Sequence, residues 1–368
     1  MIALRALAFV GGGALVAWTL LSAVRAVVLP RGEVVRLSRW VFLSWRDAFR
    51  LALRFAKTFD DRDRIMALYG PIALLTLPFA WLVFVLGGFM AMFWGLGAHS
   101  WRHVFDLSGS SIFTFGYVDP GPLPQTILAF TEAIFGLGLL ALLISFLPSI
   151  YAAFSRREQQ VALLETRAGN PPSVLQLMKR FYTIHGLEHL SPMWATWEEW
   201  FADVEETHTS QAALVFFRSP LPRRSWLTSA GAVLDSASFA ASTLDRPRDS
   251  QAELCIRAGY LCLRRIADFF SIPYDPDPAP TDPITVTREE YDAVYDALAT
   301  EGVPLKTDRD QAWRDFAGWR VNYDTVLVTI ARLIMAPDAP WSSDRPSAYQ
   351  VPTMAFRVLR PHRRRARG

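Results

Sequence analysis

"SSIFTFGYVDPG", residues 110–121, lies between two long apolar runs. Two hydroxyl residues lead into it. Thr114, Phe115, Gly116, Tyr117 and Val118 form its middle, and Asp119 with a Pro-Gly-Pro turn closes it. A plain connecting loop needs only polarity and flexibility, so an aromatic on either side of a single Gly asks for a further reason. The flanking sequence supplies it.

The 368-residue chain is not uniform. Hydrophobic residues make up 51% of it and aromatics 13%, more than a water-soluble domain needs. The apolar residues concentrate in the first 155 positions, and the remainder has ordinary soluble composition. The chain therefore divides into a membrane part followed by a water-facing part. Its net charge of +3 is too small to point to nucleic acid, and no nucleic-acid partner is expected. Cys255 and Cys262 are seven apart in a helix-like segment, two turns apart on one face and too far for a disulfide. With no CxxC or Cys/His cluster, structural zinc is not expected and a reducing compartment is.

Three segments read as spans of a hydrocarbon core about 30 Å thick. Residues 6–24 are uncharged between Arg5 and Arg25. A signal peptide competes for this segment, but Arg25 stands where a small-residue cleavage site belongs, so an uncleaved span is expected. Residues 65–98 carry no charge, with the span near 68–92 and Trp81, Trp94 and Trp101 supplying headgroup-level anchors. The third span runs from about Thr126 to Phe154, with Glu132 its one charge, and ends at Arg156 and Arg157. Arg31, Arg36, Arg39, Arg46, Arg50, Arg54, Lys57, Arg62 and Arg64 lie in the 30–64 connection, whereas the next loop has only Arg102. Basic loops stay inside. An external N-terminus and a cytoplasmic C-terminal half in the plasma membrane follow. The stretch "VVRLSRWVFLSWRDAFRLALRFAKTF" (34–59) reads as an amphipathic helix in the inner interface; packing against the soluble half is the alternative.

The expected fold is an all-α, multi-pass membrane protein. Residues 1–29 form an N-terminal transmembrane helix, 30–64 the interfacial helix and 65–157 a two-span unit with a re-entrant helix and loop. Residues 158–356 form a cytoplasmic helical domain and 357–368 an Arg-rich tail. That tail holds six Arg. It reads either as a solvated tail or as a segment drawn to anionic lipid.

Within this arrangement "TFGYVD", Thr114 to Asp119, resembles the selectivity filter of bacterial potassium channels with a two-transmembrane pore domain, whose pattern is T-V-G-Y-G-D. Thr114, Gly116, Tyr117 and Asp119 match; Phe115 stands for Val and Val118 for the second Gly. "HSWRHVFDLSGSSIF" (99–113) has the length of that family's pore helix. Gly138 lies where its inner helix carries a hinge glycine, and Pro148 lies near the cytoplasmic end, where a kink shapes a gate. The resemblance covers residues 30–157 and says nothing of 158–368.

The resemblance implies a homotetramer in the lipid bilayer, conducting potassium or another monovalent cation, with no other metal or cofactor and no enzymatic activity. Carbonyls of Thr114, Phe115, Gly116, Tyr117 and Val118 from four copies would replace the ion's hydration shell, and Asp119 would anchor the outer mouth. Alternate residues of such a loop take left-handed conformations, which suits Gly116 and would strain Val118 if imposed there. Glu132 is expected behind the filter, bonded to Ser108, Ser110 or Ser111; a cation-attracting ring in the cavity is its other reading. The Val118 departure also leaves open a non-conducting scaffold or sensor built on channel architecture.

The second half reads as helices. "REQQVALLETRAG" continues the inner helix to Gly169. "SPMWATWEEWFADVEETH" starts with Ser191 as N-cap and carries Trp194, Trp197 and Trp200 on one face, read as core. Thr287 and Glu290 form a capping box, with a stop at Gly302. Residues 307–336 read as one long final helix, and "PYDPDPAPTDP" (273–283) as a surface loop. "HGLEH" (185–189) spells H-x-x-E-H, but Gly186 interrupts the helix that metal binding needs. A membrane-tethered hydrolase on His185, Glu188 and His189 is thus the weakest reading. No Gly-rich dinucleotide fingerprint or Walker A sequence occurs, so no nucleotide-sensing module is expected.

Overall fold

The computed structural model describes residues 2–27, 36–55, 59–97, 100–221 and 223–346. The Arg-rich tail, with His99 and residues 28–35 and 56–58, lies outside them. Among the described residues the chain is helical, with no strand and one isolated bridge between Leu244 and Leu305. Three helical segments are long and apolar enough to cross a membrane: Ile2–Ala26, Arg64–Gly95 and Leu123–Ala168. The described residues within 1–46 and 70–152 form one compact unit, and those within 47–69 and 153–346 another.

In the first unit, α1 (Ile2–Val27) and α4 (Tyr69–Gly95) meet through glycines. A Cβ on Gly88 would stand 2.6 Å from Val16 Cγ2 and 2.9 Å from the Gly12 carbonyl, and one on Gly95 2.8 Å from the Arg5 carbonyl. Lipid tails are as apolar as the side chains, so helices in a bilayer associate by such close backbone packing. Trp81, Val85, Phe89 and Phe93 of α4 share one core with Val104 and Leu107 of α5 (Trp101–Ile112), and with Leu128 and Leu139 of α6 (Leu123–Ala168). Ser100 caps α5, its hydroxyl accepting from the His103 amide at 3.2 Å. α6 runs on to Ala168, with Gly169 left-handed just beyond it. Pro148 lies inside this helix.

The amphipathic stretch is not one helix. α2 (Arg36–Ala52) is followed by a 3-10 turn at Leu53–Phe55 and then by α3 (Phe59–Ala67). Phe49 meets Tyr69 edge-on at 5.6 Å, and Tyr69 meets Phe216 at 5.2 Å. Those contacts belong to the packing reading of this stretch, whereas Trp40 and Phe55 stay exposed.

The second unit is built around α9 (Trp226–Thr243), buried along nearly its whole length. That requires small residues, which "TSAGAVLDSASFAAS" supplies. α7 (Val174–Thr183), α10 (Ser250–Phe270), α12 (Arg309–Arg320) and α13 (Asp324–Ile334) surround it. α8 (Leu190–Ser210) packs along α10. Trp194, Trp197 and Trp200 are buried as expected, the last two 4.6 Å apart. The capping box forms at the start of α11 (Arg288–Thr300). Cys255 and Cys262 are buried, and burial pushes both thiols up, making them inert as nucleophiles.

Two expectations fail here. α8 begins at Leu190, directly off a 3-10 turn at Leu187–His189, so Ser191 is not its cap; the Ser191 hydroxyl instead donates to Asp249 at 3.1 Å. The long final helix is two, α12 and α13, broken at 321–323. Arg264 of α10 donates to the Asn322 carbonyl at 3.0 Å, which holds the break open.

Candidate functional site

The sequence-marked loop hangs from the C-terminal end of α5. The Ser110 carbonyl accepts from the Phe115 amide at 2.8 Å and the Gly116 amide at 3.5 Å. The Ser110 hydroxyl accepts from the amides of Tyr117 at 3.1 Å and Val118 at 3.4 Å. Four consecutive N–H groups thus converge on one buried serine. In a trans peptide the carbonyl opposes the following N–H, so the carbonyls of Thr114, Phe115, Gly116 and Tyr117 all point away from Ser110. No donor among the described residues reaches them.

This one-sided arrangement needs alternating backbone handedness, and the structure locates it. Thr114 (φ +56°) and Gly116 (φ +65°) are left-handed, whereas Val118 is not. The expected strain therefore sits at Thr114, a β-branched residue for which the left-handed region costs on the order of 1–2 kcal/mol. Its hydroxyl donates to the Phe113 carbonyl at 2.7 Å, and its amide to the Ser111 carbonyl at 3.0 Å. Val118 keeps ordinary backbone, because the row of carbonyls ends at Tyr117 and nothing requires the Val118 carbonyl to join it. Asp119 Oδ1 accepts from the Gly121 amide at 2.9 Å, closing the Pro-Gly-Pro turn. Phe115 and Tyr117 are exposed, 71% and 65%.

Behind the loop, Glu132 of α6 is fully buried and accepts from the Ser108 hydroxyl at 2.5 Å. Ser108 also lies 3.3 Å from the Leu86 carbonyl. Of the three serines named from sequence, Ser108 meets Glu132 and Ser110 holds the loop. The Ser111 hydroxyl turns back to the Leu107 carbonyl at 2.9 Å, so Ser111 touches the loop only through its carbonyl, which accepts from the Thr114 amide.

Gly136 was not singled out by sequence, yet it governs this packing. A Cβ there would overlap the Ile112 carbonyl at the end of α5. Gly138, the resemblance's hinge position, has open space around it. Two glycines two residues apart look alike in sequence; only the crossing with α5 separates them.

Elsewhere, His185 is left-handed (φ +53°) and the 3-10 turn follows it, so His185, Glu188 and His189 share no helix face. Among the described residues no group of three or more His, Cys, Asp or Glu side chains is placed to hold a metal ion. Comparison of this chain with protein-family models, curated proteins and solved structures finds no match.

Proposed function

We propose that this chain is one subunit of a homotetrameric potassium or weakly selective monovalent-cation channel of the plasma membrane. Its N-terminus is external and its helical second half cytoplasmic, and basic residues near the inner surface meet anionic lipid. The observation that carries the reading is the row of four unpaired carbonyls, Thr114 to Tyr117, turned to one side by Ser110. A dehydrated cation requires such oxygen ligands, and irregular backbone at membrane depth is tolerated where it lines a watery path.

One loop cannot encircle an ion, so several copies are needed. In a single chain Ile127, Phe130, Ile134, Leu137, Ile144 and Tyr151 of α6 are exposed at spacings of three, four and seven, a stripe suited to neighbouring copies of the same helix.

Val118 favours a second reading, a non-conducting scaffold or sensor. Its amide is the last to reach Ser110, and the second glycine of the family's pattern is absent. Rubidium uptake into liposomes separates the two. The channel reading expects uptake by wild type, a loss of about tenfold in Ser110→Ala, and sharper selectivity for potassium over sodium in Val118→Gly. Silence of all three, with a monomer in detergent, would overturn it.

A further inference from the structure

The second unit contains a cavity of about 460 Å³, within the size range of small-molecule sites. It lies where the start of α8, the end of α9 and the start of α10 meet. Its floor is apolar, made by Leu190, Trp194, Ala240, Leu244 and Ala252; Leu190, Trp194, Leu244 and Ala252 are buried. The three alanines along it, Ala240, Ala241 and Ala252, leave room where larger side chains would fill the space.

The rim is charged, and its pairing is uneven. Arg248 and Glu253 neutralise each other in a two-bond pair at 2.5 and 2.7 Å. Asp249 is occupied by the Gln251 amide at 2.9 Å and the Ser191 hydroxyl at 3.1 Å. Lys306 donates to the Ser242 carbonyl at 2.8 Å, so its ammonium is seated but no carboxylate offsets it. Arg246 and Glu188 line the cavity, and neither side chain has an ion-pair or hydrogen-bond partner among the described residues. The cavity lining thus holds two cations, Arg246 and Lys306, and one carboxylate, Glu188, that no ion pair offsets, over an apolar floor.

A polyanion such as a nucleotide is disfavoured by Glu188 and Asp249, and a simple cation by Arg246 and Lys306. We propose that this cavity binds a zwitterion with an apolar body, an apolar amino acid or dipeptide, its carboxylate at Arg246 and Lys306 and its ammonium at Glu188. The site is independent of whether the membrane unit conducts.

The test is titration calorimetry on the full-length protein in detergent, with leucine and leucyl-leucine as probes. N-acetyl-leucine, which lacks the ammonium, and leucinamide, which lacks the carboxylate, are the blocked controls. Saturable binding of a zwitterion, with each blocked form at least about tenfold weaker, supports the proposal, since charge-assisted hydrogen bonds carry that much discrimination. Arg246→Ala is expected to weaken leucine while leaving leucinamide unchanged, and Glu188→Gln to weaken leucine while leaving N-acetyl-leucine unchanged. Both positions are exposed, so folding is spared. No saturable heat with either zwitterion, or blocked forms binding as tightly as free ones, would overturn it.

Discussion

The Ser108 hydroxyl donates to Glu132 Oε1 across 2.5 Å, with both side chains fully buried between α5 and α6. A carboxyl at this depth is tolerated only with a partner. Glu132→Gln keeps an acceptor for Ser108 and is expected to stay near wild type in thermal melts in detergent. Glu132→Ala removes it and is expected to cost about 1–3 kcal/mol, lowering the midpoint by several degrees. Equal melts for the two variants would show that the bond contributes nothing.

The crossing of α6 over the end of α5 makes a sharper contrast. Gly136→Ala is expected to destabilise the membrane unit by about 1–3 kcal/mol, because the added methyl meets backbone rather than a side chain that can rotate. Gly138→Ala meets nothing and gains helix propensity of about 1 kcal/mol. Thermal melts of the pair measure this directly. A loss of rubidium flux in Gly138→Ala without loss of stability would mark that position as a hinge.

Arg320 is the electrostatic centre of the second unit. It pairs with buried Asp235 and Asp324 and donates to the Trp341 carbonyl at 2.5 Å. Arg320→Ala leaves two buried carboxylates without a cation, held only by Thr285 and Tyr323, and is expected to cost about 3–5 kcal/mol in urea unfolding. Arg320→Lys keeps the charge but loses the planar fork, and an intermediate loss is expected.

His208 supplies a pH dependence. Its Nε2 lies 3.0 Å from Arg157, which can only donate, so the imidazole is neutral. Burial first, and the Arg157 charge second, hold it well below its ordinary value of 6.5. A base depressed on folding contributes stability that is fully present above 6.5 and is lost progressively as pH falls from there toward the folded value. The decline is expected at roughly 1 kcal/mol per pH unit. Asp235 acts oppositely: burial pushes it up to about 6, so its contribution is greatest at low pH and lost as pH rises through 6. Unfolding between pH 7 and pH 5 should therefore show a loss that first steepens below 6.5 and then flattens below 6. His208→Gln, which keeps an acceptor for Arg157, should remove the first phase.

What was legible in sequence depended on whether its cause was local. The capping box at Thr287 and the stop at Gly169 follow from hydrogen bonds and φ preferences a few residues apart. The break at 321–323 contains no Gly or Pro; it exists because Arg264, far away in sequence, binds Asn322 and because Arg320 must reach Asp235. The handedness of the 114–118 loop was legible at Gly116 and misplaced at Val118: the second left-handed residue is Thr114, one turn nearer the end of α5. Glu132 could be assigned to a serine of α5, and the structure selects Ser108 by the register of two crossing helices.

The contact between Gly12 and Gly88 limits how this chain can vary over evolutionary time. Tight interfaces usually drift by paired exchange, one side growing while the other shrinks. Here both sides are already as small as an amino acid can be, so enlargement of either has no reciprocal reduction left to match it. At this one contact α1 and α4 can change only by moving main chain.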